Sequence, residues 1–200
     1  MTIPEQSTGA PEVSTAPWYW CDFEPGRSKA GKTPPGSDLA ALRLGLTLPA
    51  GTVPQMWRHY RTKVDDSLAA RGLVPDKLGA EHMALSLFGM HQQGQARLMH
   101  ARGIGLGHAA RALHERFSTD GVDGRMAAAA QARSLNAVFF AVRGLVSQLA
   151  SIGQPLDYTR LLYDLQAWPF PETRARAVRA WGLTYHAWTK PADSKDSSNT

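Results

Sequence analysis

Helical periodicity over the second half of the sequence limits the folds that this chain can adopt. Apolar residues recur three and four positions apart over 135–150, and Ser134 precedes them as an expected N-cap. Ser37 is expected to cap the first helix in the same way. No segment alternates apolar and polar residues as a half-buried strand would. Further helices are predicted over 38–46, 54–61, 75–92, 106–117, 122–133, 156–168 and 172–188. The sequence therefore predicts an all-α fold, an irregular bundle of about seven or eight helices with disordered termini.

The two ends of the chain differ in composition from the helical body. Residues 1–36 are rich in proline, glycine, serine and threonine, which predicts a flexible N-terminal tail. Residues 37–188 form the predicted helical domain, and residues 189–200 form a polar tail. Four aromatic residues at 18–23 are costly to leave in water, so we expect them to dock on the body. Docking on a partner, or stacking on a base, is the alternative.

A single cysteine, Cys21, excludes an internal disulfide and a cysteine-based zinc site. No uninterrupted apolar run approaches the roughly 18 residues of a membrane-spanning helix. The first ten residues have neither the basic start nor the apolar core of a secretory signal. We therefore expect a cytoplasmic protein that does not bind a membrane.

The basic residues are distributed unevenly. The chain carries a net charge of +5, and the surplus lies in residues 97–179, which hold eleven arginines and six acidic residues. Arginine binds phosphate through a planar, bidentate fork and stacks on bases. The block is typical of nucleic-acid binding, although general use of arginine for exposed cations would give the same count.

A glycine-rich turn over 103–107 lies inside this basic block. No strand precedes it and no Lys-Ser/Thr pair follows it, so it does not match a nucleoside-triphosphate loop. We expect a tight turn that lets two helices approach closely. The turn could also bring a helix N-terminus to a polynucleotide phosphate, with Arg97, Arg102 and His108 nearby.

Several arginines in the later helices lack an evident role in stability. Arg125 and Arg133 lie about 80° apart on one helix. Arg143 interrupts an apolar helix, so it needs a buried partner or a surface ligand. Arg174 and Arg176 crowd the first turns of the last helix, where the helix dipole disfavours cations. A phosphate ligand would explain their placement.

Two other classes of function stay open on these residues. A small helical enzyme could use His100 or His108 with Asp120, although no nucleophile motif occurs. A standalone helix-turn-helix regulator would need a recognition helix and a dimer face, and no clear turn of that geometry is present. The histidine spacings do not match a metal site, so no metal is expected.

Ordered features over about residues 37–188 carry a family resemblance. They are Ala41–Leu46, His91–Gln93, Gly103–Ala109, Val122–Arg125, Val142–Val146, Leu156–Tyr158 with Leu165 and Trp168, and Val178–Gly182 followed by Tyr185. In order and spacing the chain resembles the small subunit (CasB family) of the type I-E CRISPR surveillance complex, Cascade. The proline-rich segment before residue 37 lies outside the resemblance.

The resemblance implies an all-helical subunit without catalytic activity and without a cofactor. It implies two copies along the complex, in contact with the large subunit and the backbone subunits. The subunit would contact the guide RNA and the target strand. It would also stabilise the R-loop together with the displaced DNA strand.

The same resemblance assigns basic positions to nucleic-acid binding. Arg97 matches a basic stretch before the glycine turn, and Arg125 and Arg143 match basic positions on the next two helices. Arg174 and Arg176 match a basic stretch of the last helix. Relatives often have paired basic residues, whereas Met126 and Gly144 stand in the second positions here, so Arg102, Arg111 and Arg133 could complete the surface.

Overall fold

The computed structural model describes residues 18–187 of the chain. Within that range nine α-helices and two 3-10 helices are connected by loops, and no strand forms apart from one isolated bridge between His100 and Leu156. The predicted all-α class is confirmed. The α-helices are α1 Gly36–Leu44, α2 Pro54–Trp57, α3 Asp66–Ala70, α4 Asp76–Gln92, α5 Leu106–Arg111, α6 Thr119–Gln131, α7 Leu135–Ile152, α8 Tyr158–Ala167 and α9 Pro171–His186.

Helix α4 lies at the centre of the bundle and packs against α1, α7 and α8. Helix α6 packs on α7, and α5 packs on α9. The predicted cap of α7 is confirmed, because the Ser134 Oγ accepts a hydrogen bond from the Ala137 N–H at 3.2 Å. Helix α7 buries Val138, Val142, Leu145 and Leu149 on one face, as its apolar spacing predicts.

Helix α7 is also long and apolar enough to cross a membrane by length and composition. A buried core helix passes the same test, and six of its side chains lie in the hydrophobic core. The predicted helix nevertheless contains no uninterrupted apolar run of that length, because Arg143 and other polar residues divide it.

Several predictions about helix ends are wrong; the helix predicted over 54–61, for example, ends at Trp57. Ser37 does not cap α1: the helix begins at Gly36, and the Pro35 carbonyl accepts from the Leu39 N–H at 3.0 Å. The proline before the first turn therefore sets the entry of the chain into the helix. The helix predicted through residue 117 ends at Arg111 and continues as a 3-10 turn, Ala112–Glu115. Helix α3 was not predicted, and Asp65 caps it by accepting from the Ser67 N–H at 2.8 Å.

The aromatic segment before α1 packs on the body, as expected. A 3-10 helix, Tyr19–Phe23, buries Trp20 completely, and its indole N–H donates to the Thr159 hydroxyl of α8 at 2.9 Å. The Tyr19 hydroxyl donates to Asp38 of α1 at 3.0 Å. Residues 18–33, here called the N-terminal arm, therefore pack on the body ahead of the predicted boundary at residue 37. Residues 1–17 of the predicted N-terminal tail and the C-terminal tail over 189–200 lie outside the described residues.

Candidate nucleic-acid interface

The glycine turn is held against the start of α8. Gly103 has a positive φ of 82°, which glycine adopts without strain. Its N–H donates to the Asp157 carboxylate at 2.8 Å, and the same side chain caps α8 by accepting from the Arg160 N–H at 3.0 Å. Asp157 thus caps α8 and binds the glycine turn at the same time. This contact fixes the loop that carries the basic residues preceding the turn.

Close approach of two helices also depends on this turn. A side chain at Gly107 would collide with the Trp181 carbonyl of α9. The predicted role of the glycine-rich turn in helix packing is therefore confirmed.

A cavity of about 780 Å³ lies between the N-terminal arm and the loop over 96–102. Arg97 and Arg102 line one side, and Arg27 and Lys32 of the arm line it as well. All four residues are exposed. Sequence reasoning identified the first two and missed the second two, because the arm was interpreted as a tail. The aromatic residues at 18–23, which dock on the body as expected, bring the neighbouring Arg27 and Lys32 with them.

Glu24 fixes Arg102 at the rim of this cavity. The guanidinium donates to both carboxylate oxygens, through Nε at 2.6 Å and Nη2 at 2.8 Å. His100 accepts from the Tyr158 N–H at Nδ1, so its proton lies on Nε2 and is donated to Glu24 at 2.9 Å. The hydrogen bonds from Arg102 lower the pKa of the Glu24 carboxyl, whereas burial lowers the pKa of the His100 imidazole. Glu24 is thus a charged acceptor that a neutral histidine and an arginine share.

Cys21, Glu24 and His100 bring three potential metal-ligand atoms within 4.8 Å of one another. The Arg102 guanidinium already occupies the carboxylate and would repel a cation. Burial also raises the pKa of the Cys21 thiol, which disfavours the thiolate that metals bind. The arrangement is therefore explained as a hydrogen-bonded ion pair.

Arg133 and Arg174 meet at a second place, here called the Arg133–Arg174 edge. The Arg174 Nη1 donates to the Arg133 carbonyl at 3.3 Å and to the Trp168 carbonyl at 3.4 Å. Arg133 itself is exposed between α6 and α7, and Arg174 is half-buried in the first turns of α9. The edge thus places both arginines near the point where α6 ends and where α7 and α9 begin.

The other five predicted residues are distributed over four helices. His108 and Arg111 lie on α5, where His108 is exposed and Arg111 donates to the Ala187 carbonyl. Arg125 is exposed on α6 and donates to the Gly121 carbonyl at 2.8 Å. Arg143 is half-buried on α7, 3.5 Å from the Leu46 carbonyl, and Arg176 is exposed on α9.

The structure provides no arrangement of residues that supports the alternative of a small helical enzyme. His100 is buried with Glu24 as its carboxylate partner, whereas Asp120 is exposed in the first turn of α6. His108 is an exposed residue of α5.

Comparison with known families identifies the helical body. Residues 38–186 match the family model for the CRISPR-associated protein Cse2. The chain belongs to the Cse2 family. The match begins after the N-terminal arm and includes Arg97 and Arg102, whereas Arg27 and Lys32 precede it.

Solved structures of similar proteins agree with this assignment. CasB from Thermobifida fusca is 29% identical, with a TM-score of 0.60 over 76% of this chain and 85% of the other. A Cse2-family protein from Thermus thermophilus (23% identity, TM-score 0.56, 74% and 85% coverage) shares the fold. CasB from M. ruber (21% identity, TM-score 0.56, 78% and 86% coverage) does so too. Comparison with curated proteins gives no match. The resemblance seen in the sequence is confirmed as family membership.

Proposed function

We propose that this Cse2-family protein is a non-catalytic small subunit of a type I-E CRISPR Cascade complex in the cytoplasm. It binds nucleic acid without sequence preference and stabilises the R-loop with its displaced strand. Its partners are the large and backbone subunits, a second copy of itself, the guide RNA and both DNA strands. It needs no metal or cofactor for this role.

The observation that carries the proposal is the exposure of the arginine surplus. Arg97, Arg102, Arg125, Arg133 and Arg176 are all exposed, so their side chains are accessible to a polyanion. In RNA-guided recognition, base pairing with the guide reads the sequence, and the protein contributes charge along the backbone. Arginines spread over several elements suit this task, because backbone phosphates carry no sequence information.

The test uses a reconstituted Cascade complex in which Arg125, Arg133 and Arg176 are each changed to Glu. We expect a shorter R-loop lifetime, and a log–log salt slope that is weaker by about 0.7 for each single-strand phosphate that the variant no longer binds. The effect should be equal for guides of unrelated sequence. In the matched control, Lys63, Arg71 and Lys77 are each changed to Glu. These three exposed cations precede the basic block.

Equal R-loop lifetimes for the two triple variants would contradict the proposal. Tight binding of the isolated protein to one duplex sequence would support a helix-turn-helix regulator instead.

A further inference from the structure

The cavity beside the N-terminal arm carries an excess of positive charge. Four cations line it, and Glu24 is the one acidic residue among its described lining residues. Because the Glu24 carboxylate is already bound by Arg102 and His100, it is not available to neutralise Arg27, Lys32 or Arg97. The cavity therefore attracts an anion.

The two cations of the inner loop are positioned in advance. Two of the five N–H donors of Arg102 are held by Glu24, which leaves others for a ligand. Arg97 is oriented by a hydrogen bond from Nη2 to the Gly153 carbonyl. Side chains held in this way lose less conformational entropy on binding.

The opposite side of the cavity is fixed by the fold of the arm. Successive turns close after the 3-10 helix: the Arg27 N–H donates to the Glu24 carbonyl at 3.1 Å, and the Lys32 N–H donates to the Lys29 carbonyl at 3.1 Å. The Lys29 ammonium also forms a salt bridge with the Asp22 carboxylate at 3.2 Å, and the Lys29 backbone N–H donates to the Asp22 carbonyl at 3.0 Å. The backbone that carries Arg27 and Lys32 is thus tied to the anchored aromatic segment.

The size and lining of the cavity indicate the ligand. Its volume of about 780 Å³ lies within the range of small-molecule sites. Pro25, Leu98 and Ala101 give it apolar surface beside the cations, which suits a base or sugar next to a phosphate. The geometry points to a binding site for a nucleoside phosphate, presented within a single strand or as a free nucleotide. In its strand-bound form the site rests on the proposed nucleic-acid-binding function and extends it to a segment outside the family match.

The test compares two double variants of the full-length protein. Arg27→Ala with Lys32→Ala removes the two cations that the arm contributes to the cavity, which are exposed and whose loss should leave the thermal unfolding midpoint unchanged. Lys63→Ala with Arg71→Ala removes the same charge from exposed positions that do not line the cavity. Fluorescence anisotropy measures binding of a labelled oligothymidylate across salt, and adenosine monophosphate serves as competitor.

We expect the salt slope for the single strand to fall by about 0.7 for each phosphate that the cavity variant no longer binds, and to stay unchanged in the control. Displacement of the strand by adenosine monophosphate would show that the site accepts a free nucleotide. A lower slope without such displacement would assign the site to a strand phosphate.

Equal salt slopes and equal nucleotide binding in the two variants would overturn the inference. Failure of the wild-type protein to bind either probe would overturn it as well. The proposed function is judged separately, by the R-loop lifetime of the complex with Arg125, Arg133 and Arg176 reversed.

Discussion

The cavity and the Arg133–Arg174 edge hold their arginines in different ways. At the cavity, the Arg102 guanidinium is bound to a carboxylate at 2.6 and 2.8 Å. At the edge, Arg174 donates to two neutral carbonyl oxygens at 3.3 and 3.4 Å. Charge-assisted bidentate pairs are stronger and more directional than bonds to neutral acceptors. The cavity thus holds Arg102 in one position by a charged pair, whereas the edge holds Arg174 only by longer bonds to neutral oxygens.

The two regions also depend on different packing. The cavity exists because Trp20 anchors the N-terminal arm against Phe88 and Tyr158, whose ring centres lie 5.9 and 5.6 Å from the indole. The edge depends on α9, which contacts α5 at Gly107 and places Trp181 in a stack on Trp168 at 5.2 Å. Each region can therefore be perturbed separately.

The largest effect is expected from removing the anchor of the arm. Trp20→Ala should reduce the free energy of unfolding by about 3–5 kcal/mol, because a buried indole leaves a cavity behind. Cleavage of the arm by a protease should accelerate more than global unfolding does. Urea denaturation and limited proteolysis measure the two effects.

The matched control for the anchor is Phe140→Ala, since that ring is 61% exposed. Its free energy of unfolding should change by about 0.5 kcal/mol or less. Equal losses in the two variants would show that the arm contributes little to the stability of the body.

A smaller effect is expected at the other region. Gly107→Ala places a methyl group against the Trp181 carbonyl and should reduce the free energy of unfolding by about 1–3 kcal/mol. The proposed nucleic-acid binding by Arg174 should weaken as well, because α9 must shift to accommodate the added methyl group. Gly144→Ala is the control: apart from its chain neighbours and its own helix backbone, no atom lies within 4 Å of its Cβ position, so alanine should stabilise α7 by up to about 1 kcal/mol. Thermal unfolding measures the stability of both variants. An unchanged stability of Gly107→Ala would contradict the close approach of α5 and α9.

The effect that is smallest over a single pH unit is a pH dependence that arises in the core beneath the anchored arm, at His91. His91 is buried and its Nδ1 lies 2.9 Å from the Tyr158 hydroxyl; burial lowers its pKa to about 4. The unfolded imidazole has a pKa of about 6.5, so below that pH the unfolded state takes up a proton that the folded state excludes. As the pH is lowered from 6.5 to about 4, this group should therefore reduce the free energy of unfolding by about 1.4 kcal/mol per pH unit.

The measurement is urea denaturation at several pH values for the wild type and for His91→Gln. The variant should have a flatter pH dependence, although His82 and His100, whose pKa values burial also lowers, retain part of it. Identical slopes in the two proteins would mean that His91 titrates equally in the folded and unfolded states.

Helices were predictable from the sequence because their signals are local. The apolar spacing and the Ser134 cap of α7 lie within one segment of the chain. Ser37 shows the limit of this reasoning, since a good capping residue lies one position inside a helix whose entry Pro35 determines.

Charge counting likewise located the arginine block, but it could not group the arginines. Arg97 and Arg102 share a cavity with Arg27 and Lys32 only because the arm folds back across the body. The contact between Glu24 and Arg102 spans 78 positions in the chain, so no local pattern indicates it.

The sequence by itself determined the helical class, the family and the excess of arginine, because periodicity, motif order and charge are properties of the chain. The tertiary structure alone decided which cations face one cavity and which lie apart. Burial of Trp20 is the physical reason: the free energy of packing this indole brings the arm, with Arg27 and Lys32, onto the family domain.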